Sequence, residues 1–179
     1  MRWIKAQSLL LLFVLLGCRI EVHDATYDNP FDLDANKEKG IIPPALIFSP
    51  SRVKTTVGGS ATMDIFALEV SGVGGVHAQV NYDATKLSVT SVTAGSFFSS
   101  TQSPIFIYED NNNGTLDVYV SYLGPEITVS GTGDIAVVVF NVKTSGEAIV
   151  RYTSESELLG SNDVPIKLNG LGQGVVNAK

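Results

Sequence analysis

The feature that most constrains this chain is the recurrence of turn signals about every eight to twelve residues after residue 45. The segments between these turns are rich in Val, Ile, Thr and Tyr, which favours strands over helices. We predict strands at 46–49, 54–57, 61–70, 76–82, 86–93, 104–109, 115–123, 134–143, 147–153, 165–168 and 173–177. Only residues 154–159 are compatible with a helical turn. The pattern therefore predicts an all-β domain over residues 45–179, an antiparallel β-sandwich.

Alternation along three of these strands predicts which side chains point away from the core, because successive residues point to opposite faces. Each of 76–82, 116–123 and 135–142 carries one apolar face that we assign to the core. The opposite faces hold His77, Gln79 and Asn81, then Asp117, Tyr119, Ser121 and Leu123, then Ile135, Val137, Val139 and Asn141. The third of these faces is itself apolar, so it is either covered or an exposed patch of the kind that marks a binding surface.

The first 17 residues have the pattern of a secretory signal peptide. Arg2 and Lys5 precede an apolar run at 9–16, which is shorter than the roughly 20 residues that a membrane-spanning helix needs. The run ends in Leu-Leu-Gly-Cys, and Cys18 is the only cysteine in the chain. This ending resembles the bacterial lipoprotein signal, which implies cleavage before Cys18 and its acylation. We therefore predict a signal peptide over 1–17 and a lipid at Cys18, which holds the protein on an extracytoplasmic membrane face, either periplasmic or at the cell surface.

Residues 18–44 are predicted to be an acidic, proline-containing linker. They contain six acidic and three basic residues, and Pro30, Pro43 and Pro44 interrupt them. No apolar period of 2 or 3.6 is present, so no regular element is expected. Such a segment stays solvated and self-repelling, and it would hold the domain away from the bilayer.

Composition argues against most catalytic and nucleic-acid-binding functions. The chain has 12 basic and 18 acidic residues, and loss of 1–17 removes two of the basic ones, so the formal charge falls from −6 to −8. This balance offers no basic footprint for nucleic acid. One cysteine excludes an internal disulfide, and two histidines leave little material for a triad. No Gly-x-Ser-x-Gly, phosphate-loop or His-Glu-x-x-His motif occurs. We therefore predict a protein that is not an enzyme and needs no cofactor.

One oxygen-rich cluster at residues 109–114 allows two interpretations. Asp110, Asn112 and Asp117 could ligate Ca²⁺, but the spacing is one residue short of a calcium loop and the distal glutamate is absent. The alternative is a hairpin turn in which Asn113 and Gly114 supply the positive φ angles. We favour the turn and predict no metal site.

The order of motifs across 45–177 resembles a cohesin domain. The most specific part is Gly-Val-His-Ala-Gln-Val-Asn-Tyr-Asp at 75–83, followed by Lys-Leu-Ser-Val at 86–89. A Gly-rich loop precedes the strand at 134–140, and a Gly-Val-Val strand closes the domain at 174–176. The resemblance implies a nine-stranded jelly roll of cohesin type. It also implies a non-catalytic module that binds dockerin modules carried by polysaccharide-degrading enzymes and other secreted proteins.

The same resemblance implies a partner-binding sheet face, formed by the strands that match 76–82, 116–123, 135–142 and 147–153. Its outward positions map to His77, Gln79, Asn81, Tyr119, Ser121, Leu123, Val137 and Val139, and Leu158 and Leu159 border them. Many cohesins have Asn and Asp at the start of the first of these strands, where this chain has Gly75 and His77.

Two further functions stay open beside the preferred one, a membrane-anchored module for dockerin-bearing proteins at the cell surface. A carbohydrate-binding module of the same sandwich class would bind polysaccharide on exposed aromatic platforms. The chain after residue 17 has no tryptophan, which leaves Tyr108, Tyr119 and Tyr152 as candidates. The second alternative is a structural surface subunit.

Overall fold

The computed structural model describes residues 29–99, 102–124 and 126–179. Two packed β-sheets confirm the predicted all-β sandwich. The predicted signal peptide and the lipidation site Cys18 lie outside the described residues. Among those that are described, no helix is long and apolar enough to cross a membrane.

Thirteen strands and one short α-helix make up the described part of the chain. The strands are β1 Ala45–Ser49, β2 Arg52–Thr55, β3 Ser60–Val73, β4 Gly75–Tyr82, β5 Leu87–Ala94, β6 Ile105–Asp110, β7 Thr115–Ser121, β8 Val129–Val142, β9 Gly146–Tyr152, β10 Glu157–Leu159, β11 Pro165–Ile166, β12 Gly170–Leu171 and β13 Gln173–Ala178. The helix α1 spans Leu33–Glu38, and a 3-10 turn covers Ser161–Asp163. The helical turn predicted at 154–159 is wrong, because this segment ends in β10, which pairs with β4.

Strand order places β4 in the middle of the second sheet. The first sheet runs β12-β1-β3-β8-β5, and the second runs β11-β10-β4-β9-β13-β2, with β7 added to β4 and β6 added to β7. Along one edge β4 pairs with β7, and along the other it pairs first with β10 and then with β9. Most pairings are antiparallel, whereas β1 with β12 and β2 with β13 are parallel. Both sheets are therefore mixed.

The core lies between the two sheets and follows the predicted alternation. The inward residues of β4, β7 and β8 are all buried: Val76, Ala78, Val80, Tyr82, Leu116, Val118, Val120, Ala136, Val138, Phe140 and Val142. Each large apolar side chain buried in this way contributes about 1.5–3 kcal/mol. The outward position predicted for Ile135 is wrong, since this residue is only 1% exposed. It lies at a register shift between β3 and β8, where Ile65 pairs with Ala136 and Phe66 with Asp134, and such a bulge resets the alternation.

Part of the predicted linker is folded. The helix α1 begins after Asp32, whose carboxylate accepts a hydrogen bond from the Ala35 N–H at 3.0 Å, the usual N-cap contact. The Asn36 side chain is 6% exposed, and its amide donates to the Pro30 carbonyl at 2.9 Å. The prediction that no regular element occurs before residue 45 is therefore wrong for Leu33–Glu38.

Packing against the first sheet explains this helical segment. Ala45, Ile47, Phe66 and Leu68 form a buried apolar cluster on the outer face of that sheet, apart from the main core, and Ile41 packs against it. The Phe31 ring meets Phe66 edge to face, with 6.0 Å between centroids. A helix of six residues is marginal by itself, so tertiary contact with this cluster stabilises it.

Candidate partner-binding face

Three adjacent strands of the second sheet, β6, β7 and β4, present one continuous outer face. Cross-strand pairing aligns Ile107 with Tyr119, Tyr119 with His77, and His77 with Glu157 of β10. The next row aligns Glu109 with Asp117 and Asp117 with Gln79. We call this surface the Tyr119 face, and it consists of Ile105, Ile107 and Glu109 of β6, Asp117, Tyr119 and Ser121 of β7, His77, Gln79 and Asn81 of β4, and Glu157 of β10.

A chain of polar side chains crosses the middle of the Tyr119 face. The Asp117 Oδ1 lies 2.7 Å from His77 Nε2 and also accepts a hydrogen bond from the Gln79 amide at 2.9 Å. The Gln79 Oε1 in turn accepts from the Thr153 hydroxyl at 2.8 Å. The side chains of His77 and Asp117 are only 20% and 21% exposed. Because each of these side chains contacts the next, the row of hydrogen bonds holds all of them in one arrangement.

The Ser156 side chain completes the pairing of β4 at Gln79. At this point the strand that pairs with this edge of β4 changes from β10 to β9. The Ser156 hydroxyl accepts from the Gln79 N–H at 3.1 Å and donates to the Gln79 carbonyl at 3.0 Å. The Thr153 N–H also donates to that carbonyl, at 2.9 Å. These contacts satisfy the backbone groups that a neighbouring strand would otherwise bind.

Tyr119 is the exposed aromatic residue at the centre of this face. Its ring stacks on the His77 imidazole, with 4.4 Å between centroids and 9° between planes. Desolvation, followed by the Asp117 and Glu109 carboxylates, raises the pKa of the Tyr119 hydroxyl. The phenol therefore stays protonated at neutral pH and can donate a hydrogen bond to a partner.

Four exposed apolar side chains belong to β6, to β7 and to the residues that directly follow β7. Ile105 is 42% exposed, Ile107 57% and Tyr119 42%, and Leu123, which follows β7, is 63% exposed. Ile105 is paired with Ser121, and Ile107 with Tyr119. We call these four residues the apolar strip. Contiguous exposed apolar surface of this kind is characteristic of interaction sites.

The charge on this face is negative. Glu109, Asp117 and Glu157 belong to it, and β4, β6 and β7 contain no lysine or arginine. A partner of complementary charge would carry basic groups around the apolar contact.

The structure brings together most of the residues that the sequence predicted for partner binding. His77, Gln79, Asn81, Tyr119 and Ser121 share the Tyr119 face. Asn81 accepts a hydrogen bond from the Thr115 hydroxyl at 3.1 Å, and the Ser121 hydroxyl donates to the Tyr122 carbonyl at 3.0 Å.

Val137 and Val139 are not part of this face, so the prediction that placed them there is wrong. They belong to β8, which lies in the first sheet between β3 and β5. Val137 pairs with Asp64 and Thr93, and both valines are half-buried on the outer side of that sheet. Alternation determines which side of a strand a residue occupies, but it does not say which sheet the strand joins.

Leu158 was also assigned to the partner-binding face, and this assignment is wrong. Its exposed fraction is 0%, and it lies opposite Val76, with its side chain in the core. Because neighbours on a strand alternate, Glu157 is the residue of β10 that belongs to the Tyr119 face, opposite His77.

The three weak metal candidates do not form a site. Asp110 lies opposite Leu116, which points into the core, and its Oδ1 accepts a hydrogen bond from the Tyr82 hydroxyl at 2.7 Å. Asp117 projects from the other face of the sheet. Within the described ranges, no three His, Cys, Asp or Glu residues are grouped so that they could hold a metal ion.

The segment with Asn112 is a hairpin turn between β6 and β7, as the sequence suggested. The positive φ angles belong to Asn112, at 58°, and Gly114, at 102°, so the assignment of one of them to Asn113 is wrong. The Asn111 side chain accepts from the N–H groups of Asn113 and Thr115 at 2.8 and 3.1 Å. These local bonds stabilise the turn without a metal ion.

The remaining aromatic candidates do not form a flat platform with Tyr119. Tyr152 is 7% exposed and stacks on Phe48, with 4.4 Å between centroids, so its predicted exposure is wrong. Its hydroxyl donates to the Ile47 carbonyl at 2.7 Å. Tyr108 is 46% exposed, but it alternates with Ile107 and so lies on the other side of β6 from Tyr119.

Sequence reasoning missed Ile105, Ile107 and Glu157. The alternation of 104–109 could have placed Ile105 and Ile107 on one side of their strand. Their position beside Tyr119 depends on the pairing of β6 with β7, and Glu157 depends on a strand that the sequence did not predict.

Comparison with known proteins agrees with this fold. The cohesin domain model matches residues 48–177. A non-cellulosomal cohesin from the hyperthermophilic archaeon Archaeoglobus fulgidus is similar, with 18% identity, a TM-score of 0.61, and coverage of 75% of this chain and 88% of that one.

Two further solved structures are similar to this chain. The sixth cohesin of scaffoldin B from Acetivibrio cellulolyticus, solved in complex with a dockerin, has 24% identity, a TM-score of 0.63, and coverage of 75% and 98% of the two chains. A type II cohesin domain from the cellulosome of the same organism has 17% identity, a TM-score of 0.62, and coverage of 74% and 93%. No curated protein sequence matches. Since the family model covers well over half of its residues, this chain belongs to the cohesin family.

Proposed function

We propose that this protein is a non-catalytic cohesin module that binds a dockerin-bearing protein through the Tyr119 face. The observation that carries the proposal is the apolar strip, which is exposed beside a tightly bonded polar chain on one sheet. Membership of a family of binding modules supports it. Similar solved structures that are themselves complexes with dockerins support it as well.

The geometry of Tyr119 favours binding because the side chain is already positioned. Asp117 holds His77, and His77 stacks on the Tyr119 ring. Binding of a partner to this ring therefore costs the cohesin module little conformational entropy. Interface energy usually concentrates in a few central residues, among which tyrosine is enriched.

Calorimetric titration with dockerin modules encoded in the same genome would test this proposal. Tyr119→Ala should weaken binding by about 1–3 kcal/mol, the cost typical of a central interface residue. Tyr108→Ala is the matched control, since that tyrosine is similarly exposed on the other side of β6. Val137→Asp should also be neutral, because Val137 lies in the other sheet. An equal loss of dockerin affinity in the two tyrosine variants would refute the assignment of the binding face. If no dockerin binds but the protein is retarded in an affinity gel that contains polysaccharide, the carbohydrate-binding alternative is favoured.

We also propose that a lipid on Cys18 anchors the module to an extracytoplasmic membrane face. The Leu-Leu-Gly-Cys sequence after an apolar run supports this assignment. Cys18→Ala should move the protein from the membrane fraction to the soluble fraction. Intact mass should show a chain that begins at Cys18 with added acyl groups, and an unmodified chain with another N-terminus would contradict the anchor.

A further inference from the structure

A groove of about 1170 Å³ lies at the opposite end of the sheet that carries the Tyr119 face. Residues of α1 and of β1, β2, β9, β12 and β13 line it. The lining includes the apolar residues Ile47 and Val175 and the cations Lys39, Arg52, Lys54 and Arg151. We call it the basic groove. A volume above the roughly 300–1,000 Å³ of small-molecule pockets suits a longer ligand.

Positive charge is concentrated in this groove although the chain as a whole is acidic. Four of the nine lysine and arginine residues in the described ranges line it, against one of the fifteen acidic residues, Glu38. The net charge of the chain is −6. This local reversal creates a positive potential that attracts an anionic ligand.

Two of these cations have no partner among the described residues. Arg52 is bonded to Glu147 at 2.7 Å. The side chains of Lys54 and Arg151, in contrast, form no hydrogen bond or ion pair with any other described residue. Arg151 pairs in register with Gln173 on the outer face of the sheet. The groove therefore offers at least two charges that a ligand can neutralise.

The spacing of the cations fits an extended peptide. Arg52 and Lys54 are two residues apart on β2, so their side chains share one face about 6.6 Å apart along the strand. The Arg52 side chain is paired with Glu147 but stays 43% exposed, so it can still contact a second carboxylate. An extended chain with carboxylates at every second residue has the same repeat. β2 is the last strand of its sheet, so its outer edge can bind a further chain by main-chain hydrogen bonds.

The lining is less suited to a sugar. Phe48 and Tyr152 are the aromatic residues of the groove, and they are 3% and 7% exposed and stacked on each other. No ring among the lining residues therefore presents a face on which a sugar could stack. Charged side chains on an edge strand can also serve only to prevent that strand from pairing with another molecule. Such a role would need cations on β2 alone, whereas here Arg151 of β9 and Lys39, which follows α1, line the same groove.

We propose that the basic groove binds an extended acidic peptide segment of a partner protein, with carboxylates at alternate positions. This site is separate from the Tyr119 face and does not depend on dockerin binding. The probe is a fluorescein-labelled decapeptide of alternating glutamate and serine, titrated by anisotropy into the full chain in nonionic detergent. Saturable binding that weakens with added salt is expected.

Charge-reversal variants locate the site. Lys54→Glu combined with Arg151→Glu should weaken the peptide by about tenfold or more, because two attractive contacts become repulsive. The control is Lys167→Glu, an exposed lysine outside the groove, which should leave affinity unchanged. The milder Lys54→Gln should weaken binding less, and thermal unfolding checks that each variant stays folded.

Several results would overturn the proposal. One is equal affinity for a peptide of alternating glutamine and serine. A second is wild-type affinity of the charge-reversed variant. A third is absence of peptide binding at low salt, whether or not oligogalacturonate or micelles containing phosphatidylglycerol bind instead. None of these results would alter the dockerin titration, so the two proposals fail separately.

Discussion

Replacing Asp117 with alanine should destabilise the domain, because one carboxylate oxygen connects two strands. Asp117 Oδ1 contacts His77 Nε2 at 2.7 Å and Gln79 Nε2 at 2.9 Å. Both partners belong to β4, whereas Asp117 belongs to β7, so the variant removes two cross-strand contacts at once. It also leaves the Gln79 amide without an acceptor in a partly buried position.

The magnitude follows from the number of bonds and their exposure. A hydrogen bond to a charged group is worth about 1.5–3 kcal/mol, and a neutral one about 0.5–1.5 kcal/mol. The His77 and Asp117 side chains are 20% and 21% exposed, so water reduces each contribution. We expect Asp117→Ala to lower the free energy of unfolding by about 2 kcal/mol. Adding Gln79→Ala should show a coupling energy of about 1 kcal/mol between the two sites.

Urea denaturation followed by circular dichroism would measure both values, and Glu109→Ala is the matched control. Glu109 lies directly opposite Asp117 on the same face and carries the same charge, but no hydrogen bond holds its side chain among the described residues. Its loss should change stability by no more than about 0.5 kcal/mol. If Asp117→Ala and Glu109→Ala have equal effects, the polar chain does not stabilise the pairing of β4 with β7, and the reasoning fails.

Three further predictions concern the fold. Burial, and then the Asp134 carboxylate, raises the pKa of Asp64 above its usual value of 3.8. The folded state therefore holds this proton more tightly than the unfolded state, and it loses stability as pH rises from 3.8 through the raised pKa. Asp64→Asn should thus stabilise the domain at pH 7, and its advantage over the wild type should disappear on acidification below 3.8, as measured by urea midpoints. Gly95→Ala should cost about 1–3 kcal/mol, because the new Cβ would lie 2.1 Å from the Asp134 carbonyl oxygen; an unchanged melting temperature would contradict this contact. A chain that begins at Ala45 should still fold, but with a lower melting temperature, because Phe66 loses its cover; equal melting temperatures would mean that α1 contributes nothing.

Much of the candidate site could be predicted from local pattern. Alternation correctly assigned His77, Gln79 and Tyr119 to outward positions, because the side of a strand that a residue occupies depends only on parity within that strand. The same rule failed at Ile135, where a bulge adds one residue and reverses the parity.

Contacts between strands could not be predicted in this way. The helix at Leu33–Glu38 has no apolar period, and its packing cluster includes Phe66 and Leu68, which lie about thirty residues further along the chain. Glu157 belongs to the Tyr119 face only because β10 pairs with the start of β4. Each of these features depends on a partner segment that local sequence does not reveal.

The sequence by itself determined the strand and turn pattern, the inward residues of the core and the resemblance to cohesins. Only the tertiary structure decided which strands are neighbours. It placed Val137 in the first sheet and Tyr119 in the second, and it brought Asp117 to within 2.7 Å of His77, 40 residues earlier in the chain. The physical reason is that strand pairing in a sandwich is made by backbone hydrogen bonds common to all residues. Neighbours are therefore selected by how the buried faces of the whole domain pack together.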